Sequence, residues 1–100
     1  MIKHYSKEED FNEIIKNKVL VDFYADWCGP CRILTTMLNK AQIEYEPINV
    51  DNNEELVEKY NIKTIPVFMA VKDDGTEIDR FVGVKSADAI KQWIDSLNVD

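Results

Sequence analysis

The sequence has few of the residues that interrupt or cross-link a chain, with three glycines, three prolines and two cysteines among 100 residues. The glycines and prolines occur singly, so no flexible linker divides the chain and we predict a single domain over residues 1–100. The two cysteines, Cys28 and Cys31, are too close in sequence to cross-link a fold. Their spacing excludes a scaffold held by structural disulfides.

Long apolar runs and an excess of positive charge are also absent. The longest apolar run, Val67–Val71, is far too short to span a bilayer, and residues 1–11 contain no apolar stretch of the kind that a signal peptide requires. Twelve basic against nineteen acidic residues give a net charge of −7, which repels phosphate backbones and anionic lipids. We therefore expect a soluble protein made without export that binds neither nucleic acid nor membranes.

The apolar residues that are present alternate between strand-like and helix-like patterns. Residues 19–24 form a β-branched and aromatic run typical of a strand buried on both faces, and residues 32–41 have the 3.6-residue period of an amphipathic helix. Next come a strand over residues 45–50, with Pro47 at its start or on an edge, and a helix that is capped by Asp51 or Asn53 and ends near Tyr60. The chain then continues with a hairpin of residues 67–72 and 77–82 and a helix capped by Ser86.

Including a first helix over residues 7–16 and a possible edge strand over residues 2–5, we predict an α/β fold. Its mixed central sheet has four or five strands flanked by helices on both faces. In such sheets ligands bind beyond the carboxyl ends of the parallel strands, where the segment from Trp27 to Cys31 falls.

Cys28 and Cys31 lie where the first predicted strand gives way to a helix. Unpaired N–H groups and the positive end of the helix dipole favour a thiolate there, so we expect a pKa for Cys28 below the ordinary value of about 8.5. Cys28 would then attack a substrate disulfide, and the better shielded Cys31 would resolve the mixed disulfide. Gly29 permits close approach of a substrate chain and Pro30 presets helical φ. Zinc needs four ligands and only His4 is available beyond the two thiols, so no metal is predicted.

Asp22 is an acid within an otherwise apolar strand, six residues before Cys28. Burial is expected to raise its pKa. The functional interpretation is that Asp22 accepts the proton of Cys31, directly or through water, when that thiol attacks. The alternative is a carboxyl group capped by a local hydroxyl or amide.

A third predicted feature is an apolar lip around the thiols. Trp27, Ile65, Val82 and Gly83 are its candidate members, and Pro66 is expected to start the strand beside it. Such a lip would bind unfolded or flexible protein segments. Packing in the core is the alternative for each of the apolar residues, above all for Val82.

Residues 21–31, VDFYADWCGPC, closely resemble the active-site strand and turn of thioredoxins, and the resemblance continues through residues 64–66 and 81–83. It implies a thioredoxin fold and protein-disulfide reduction in the cytoplasm by a monomer with no bound cofactor. Electrons would come from NADPH through a thioredoxin reductase, as part of electron transport and cell redox homeostasis. The matched residues are Cys28 as nucleophile, Cys31 as resolving thiol, Asp22 as buried acid, Trp27 as flanking indole, Pro66 as a cis-proline facing the disulfide, and Gly83 as a glycine of the substrate groove.

The sequence departs from the family pattern at three places. The stretch from Cys31 to Asp51 is several residues short, Thr36 replaces a helix-kinking proline, and Pro47 and Ile48 stand where many relatives have a lysine beside the buried acid. Because of the short segment, a glutaredoxin-like reductase recharged by glutathione is the second hypothesis. A third is a module that binds partners without using its thiols.

Overall fold

The computed structural model describes residues 19–97. Within them, the predicted order β-α-β-α-β-β-α is confirmed, with a short 3-10 turn added at Val50–Asn52. The predicted helix over residues 7–16, the edge strand over residues 2–5 and His4 lie outside the described residues. The elements are β1 (Val19–Tyr24), α1 (Gly29–Lys40), β2 (Glu46–Asn49), α2 (Glu54–Lys59), β3 (Val67–Val71), β4 (Glu77–Val82) and α3 (Ala87–Ser96).

The four described strands form one mixed sheet in the order β2-β1-β3-β4. β1 and β2 run parallel, with α1 as the crossover between them, whereas β3 is antiparallel to both β1 and β4. Pro47 is the second residue of β2, which stands at one end of the order formed by the described strands. The tight turn between β3 and β4 has Gly75 at φ +89°, as the hairpin prediction requires.

Helices cover both faces of the sheet, and strand alternation decides which side chains each face receives. Val21 and Phe23 of β1 pack with α2 on one face. Leu20 packs with α1 and α3 on the other, and Asp22 shares that face because its partner in β3 is Phe68, a member of the same core. Asp22 therefore points toward the helix that carries Cys31.

The residues at the N-termini of the three described helices determine where each helix begins. α1 begins at Gly29, three residues before the amphipathic pattern, because Cys28 is its N-cap and Pro30 is tolerated in its first turn. Ser86 caps α3 as predicted, with its hydroxyl oxygen accepting from the N–H of Ala89. Asn53 occupies the N-cap position of α2 but makes no side-chain capping bond.

None of the helices in the described part of the chain is long and apolar enough to cross a membrane.

Candidate active site around Cys28 and Cys31

The cysteine pair lies at the first turn of α1, directly beyond the carboxyl end of β1. Cys28 and Cys31 form a disulfide, with their Cα atoms 5.3 Å apart. The Cys28 sulfur also accepts a hydrogen bond from the N–H of Cys31 at 3.2 Å. One of the helix's unpaired N–H groups thus points at the predicted nucleophile, where it would stabilise a thiolate.

The expected difference in shielding between the two sulfurs is small. Cys28 is 5% exposed and Cys31 is 2% exposed, because Ala25, Val50 and Ile65 pack around both. Depth alone therefore does not separate their roles. The N-cap position of Cys28 is the feature that distinguishes it from Cys31.

Asp22 is buried beneath this face of the sheet, at 1% exposure. Burial raises the pKa of its carboxyl group from 3.8 to about 7. Among residues 19–97 no group hydrogen-bonds to its Oδ1, so the alternative of a fully capped carboxyl group does not hold for that oxygen. Its strand partners are the uncharged Pro47 and Phe68. Pro47 thus lies beside Asp22, where the resemblance led us to expect a lysine in many relatives.

Trp27 is 69% exposed beside the disulfide, and a carboxylate holds its indole in place. Its Nε1–H donates to Oδ2 of Asp51 at 2.9 Å. Asp51 was predicted only as a possible helix cap. It is 24 residues from Trp27, and only the parallel pairing of β1 with β2 brings the two side chains together, so no local sequence signal could have identified the contact.

The second loop of the site holds the predicted proline and glycine. The Ile65–Pro66 peptide bond is cis, and Ile65 packs against the cysteine pair. The N–H of Gly83 donates to the carbonyl of Pro66 at 2.9 Å, and Gly83 has φ +92°, a conformation that strains any other residue. Val82 is 57% exposed, so core packing is the wrong alternative for that residue. A side chain at Gly29 would meet no atom within 4 Å, which leaves open space over the first turn of α1.

Two cavities flank the disulfide. The first, the Trp27 groove, has a volume of about 340 Å³ and shares Trp27 and Ile65 with the predicted lip. The second, the Cys31 pocket, has a volume of about 150 Å³ and includes Cys31 itself in its lining. The groove is lined by Trp27, Val50, Val57, Ile62, Lys63, Thr64 and Ile65, and the pocket by Tyr24, Ala25, Asp26, Cys31, Arg32 and Thr35.

Sequence reasoning found the groove only in part. Val50, Val57 and Ile62 were not predicted to line a site, because they lie in separate segments of the chain and the groove forms only when those segments pack together. In the described range, residues 19–97, no group of three or more His, Cys, Asp or Glu side chains is placed to hold a metal ion.

A disulfide between residues three apart at a helix N-terminus, with an exposed indole beside it and a buried carboxyl group on the adjoining strand, is the site of a thiol-disulfide oxidoreductase. The thioredoxin family profile matches residues 2–96. The chain is 36% identical over 99 residues to the thioredoxin of Chlamydia caviae, a match that covers 94% of the chain and 96% of the relative. It is 38% identical over 99 residues to the thioredoxin of Chlamydia pneumoniae, with the same coverage. The chain belongs to the thioredoxin family.

Solved structures agree with this assignment. The thioredoxin of Plasmodium falciparum superimposes with a TM-score of 0.78 at 32% identity, over 96% of this chain and 98% of that one. A mutant thioredoxin of Halobacterium salinarum superimposes with a TM-score of 0.84 at 28% identity, over 99% of this chain and 92% of that one. The predicted thioredoxin fold is confirmed.

Proposed function

We propose that this oxidoreductase works as a cytoplasmic reductase of protein disulfides, recharged by a thioredoxin reductase that draws on NADPH. The observation that carries the proposal is the Cys28–Cys31 disulfide at the N-terminus of α1, beside an exposed apolar surface. The protein needs no bound cofactor for this reaction, because the two thiols store and transfer the electron pair themselves. It would thereby serve electron transport and redox homeostasis, and act as a monomer.

In the proposed reaction the reduced protein begins as a dithiol. The Cys28 thiolate attacks one sulfur of the client disulfide, and the first client thiolate leaves. Cys31 then loses its proton to Asp22 and attacks the sulfur of Cys28, so that the second client thiol is released and the Cys28–Cys31 bond forms. The client gains two electrons and the protein loses two. Asp22 suits the role of acceptor because its pKa of about 7 lies near the working pH.

Clients would dock on the apolar surface around the disulfide. The Trp27 groove offers a place for an apolar side chain next to the reacting sulfurs, and the exposed Val82 and the neighbouring Gly83, which bonds to Pro66, would extend the apolar lip. Gly29 leaves the space beside it free of side-chain bulk, and Pro30 presets the helical φ of the same turn. Ile65 and Pro66 would lie against the bound segment. These features favour extended or unfolded protein segments over small molecules.

The test is the reduction of insulin disulfides by the purified protein, recharged in parallel by thioredoxin reductase with NADPH and by glutathione with its reductase. We expect turnover with thioredoxin reductase, no turnover for Cys28→Ser, and a trapped client adduct for Cys31→Ser. Turnover with glutathione alone would contradict the proposed recharging partner and support the glutaredoxin-like alternative. Normal turnover of Cys28→Ser would contradict the proposed chemistry.

A further inference from the structure

The C-terminal turn of α2 forms one wall of the Trp27 groove. Val57, in the last turn of the helix, and Ile62, just beyond it, both line the groove. The N–H of Ile62 donates to the carbonyl oxygen of Val57 at 2.9 Å, and the N–H of Asn61 donates to that of Glu58 at 3.1 Å. These two bonds make a Schellman motif, which brings the residues at its two ends together. The turn therefore sets where two apolar side chains of the groove lie.

Asn61 supplies the backbone conformation that this turn requires. Its φ is +54°, in the left-handed region that favours glycine and, less often, asparagine. The residue is exposed, so the turn depends on its backbone conformation and not on the packing of its side chain. Most other residues would strain the turn at this position.

A second group holds the turn from outside the helix. Tyr60 is the C-cap residue, and its carbonyl oxygen lies beyond the reach of the helix's own N–H groups. Nη2 of Arg80 in β4 donates to this oxygen at 2.6 Å. The Tyr60 hydroxyl donates to the carbonyl oxygen of Gly75 at 2.6 Å, in the turn between β3 and β4. Both ends of the residue that precedes Asn61 are thus fixed to the same hairpin.

Arg80 can reach Tyr60 because β4 contains an irregularity. In a regular strand, residues three apart point to opposite faces. Glu77 pairs with Val71 and Arg80 pairs with Met69, so three steps along β4 match two along β3 and β4 has one extra residue. Val71 and Met69 belong to the core under α2, so their partners in β4 also lie on that side. Nε and Nη2 of Arg80 donate to the two carboxylate oxygens of Glu77 at 2.6 and 2.7 Å, which fixes the guanidinium group that bonds to Tyr60.

We propose that Arg80 and Asn61 are positioning residues for client selection. By fixing the turn of residues 57–62, they hold the groove wall where it packs against an apolar side chain next to the client's reacting cysteine. The inference rests on the proposed docking of clients in the Trp27 groove.

The position of the groove explains why it would select that side chain. Ile65 lines the groove and also packs against the cysteine pair, so the groove lies beside the reacting sulfurs. A client whose disulfide has reached Cys28 places the residues adjoining its own cysteine over the groove. The attraction between apolar atoms falls by roughly a quarter to a half when a gap of about 0.5 to 1 Å opens. A small displacement of the wall should therefore weaken binding of a large apolar side chain and leave a small one unaffected.

The test uses two symmetrical peptide disulfides that differ only in carrying leucine or alanine next to the cysteine. A small polar disulfide, bis(2-hydroxyethyl) disulfide, is the third substrate, because it reacts with the cysteine pair and brings no apolar side chain to the groove. The fully reduced protein is mixed with each substrate in excess, the reaction is stopped with acid, and the released thiol is measured by chromatography. No recharging enzyme is involved. The quantity compared is the leucine preference, the ratio of the second-order rate constants for the leucine and alanine peptides.

Two variants loosen the turn and two serve as controls. Arg80→Met removes the bonds to Tyr60 and Glu77, and Asn61→Ala introduces a residue that disfavours the left-handed conformation. Asn61→Gly is the matched control for the second variant, because glycine adopts that conformation readily. Ser86→Ala is the control for a general loss of stability, since it removes the cap of α3 and Ser86 does not line the groove.

We expect the wild-type protein to show a leucine preference of roughly tenfold, because the three extra carbon atoms are only partly buried in an open groove. Arg80→Met and Asn61→Ala should lower the preference to about threefold or less, through slower reaction with the leucine peptide alone. Their rate constants for the alanine peptide and the small disulfide should change by less than about twofold, since the cysteine pair is untouched. Asn61→Gly and Ser86→Ala should keep the wild-type preference.

Several results would overturn the inference. If Arg80→Met and Asn61→Ala keep the leucine preference as Ser86→Ala does, docking in the groove stands and the positioning role is wrong. If they slow all three substrates by the same factor, the loss is a general one and selects no client. If Asn61→Gly loses as much preference as Asn61→Ala, the left-handed conformation is not what the groove needs. A wild-type protein without any preference would rule out docking in the groove, and one that also leaves the small disulfide intact would rule out the proposed function itself.

Discussion

The two faces of the central sheet are packed from different kinds of residues. The face under α2 is closed by fully buried side chains such as Val21, Phe23 and Leu56, and the hydroxyl of Tyr60 in the same core donates to the carbonyl oxygen of Gly75, so no ionisable carboxyl group lies among the described residues of this core. The face under α1 and α3 encloses the carboxyl group of Asp22 and the hydroxyl of Tyr45 among its aromatic rings. Along β1, Val21 and Phe23 point to the first face and Leu20 and Asp22 to the second, so one six-residue strand contributes to both faces.

The two faces therefore contribute differently to the free energy of folding as the pH changes. A face of apolar side chains gains free energy from burial at any pH. A buried carboxyl group costs free energy whenever it ionises, and that cost is what raises the pKa of Asp22 to about 7. The first face supports the sheet, and the second encloses the carboxyl group that we propose as the proton acceptor of Cys31.

The largest expected effect comes from Asp22→Asn on the oxidised protein. The folded state raises the carboxyl pKa from 3.8 to about 7, so unfolding releases a proton between these values and wild-type stability falls as pH rises through them. At about 1.4 kcal/mol for each pH unit, the stability of the variant relative to wild type should improve by roughly 4 kcal/mol from about pH 4 to pH 8. Denaturant unfolding across this range measures it. A constant difference would mean that Asp22 does not titrate as a buried group.

On the other face, Leu56→Ala should cost about 3 kcal/mol, because the fully buried leucine leaves a cavity between α2 and the sheet. The loss should be the same at acid and alkaline pH, since no titratable group is removed. The control is Val84→Ala at a position 42% exposed, which should change stability by less than about 0.5 kcal/mol. A pH-dependent loss for Leu56→Ala would break the distinction between the two faces.

The smallest expected effect concerns α3, which helps to cover the face that holds Asp22. Ser86→Ala removes the hydroxyl that accepts from the N–H of Ala89 and should cost about 1 kcal/mol. Ser96→Ala, which removes an exposed hydroxyl bonded to the carbonyl of Trp93, is the control and should have less than half of that effect. Thermal unfolding of the three oxidised proteins would compare them. Equal losses in both variants would mean that the cap contributes nothing specific.

Local sequence patterns predicted the elements well where neighbouring residues alone fix the conformation. β1 was predicted with its observed bounds, and the hairpin turn at Gly75 and the cap at Ser86 were confirmed. The apolar period of α1 became visible only at residue 32, because Gly29 and Pro30 carry no apolar side chain, whereas the position of the cysteine pair at the start of this helix was predicted and is confirmed. The register shift between Ala70 and Val71, where β3 pairs with β4, had no counterpart in the sequence pattern.

The candidate site divides in the same way. The Cys28 and Cys31 pair and its position at a helix N-terminus followed from spacing, as did the burial of Asp22. The exposure of Val82 and the bond from Trp27 to Asp51 did not. Both depend on which distant segments pack together, and the long-range pairing of strands sets that.

The sequence by itself determined the reacting pair and the turn that holds it, because hydrogen bonds and backbone preferences at a helix start act within a few residues. It also determined that an acid would lie in a buried strand. Only the tertiary structure decided what surrounds that acid. Proline and phenylalanine flank it on the neighbouring strands, and the ring of Tyr45 packs against that phenylalanine, Phe68. Desolvation depends on every group within reach in space, so it exists only after strands and helices far apart in sequence have packed.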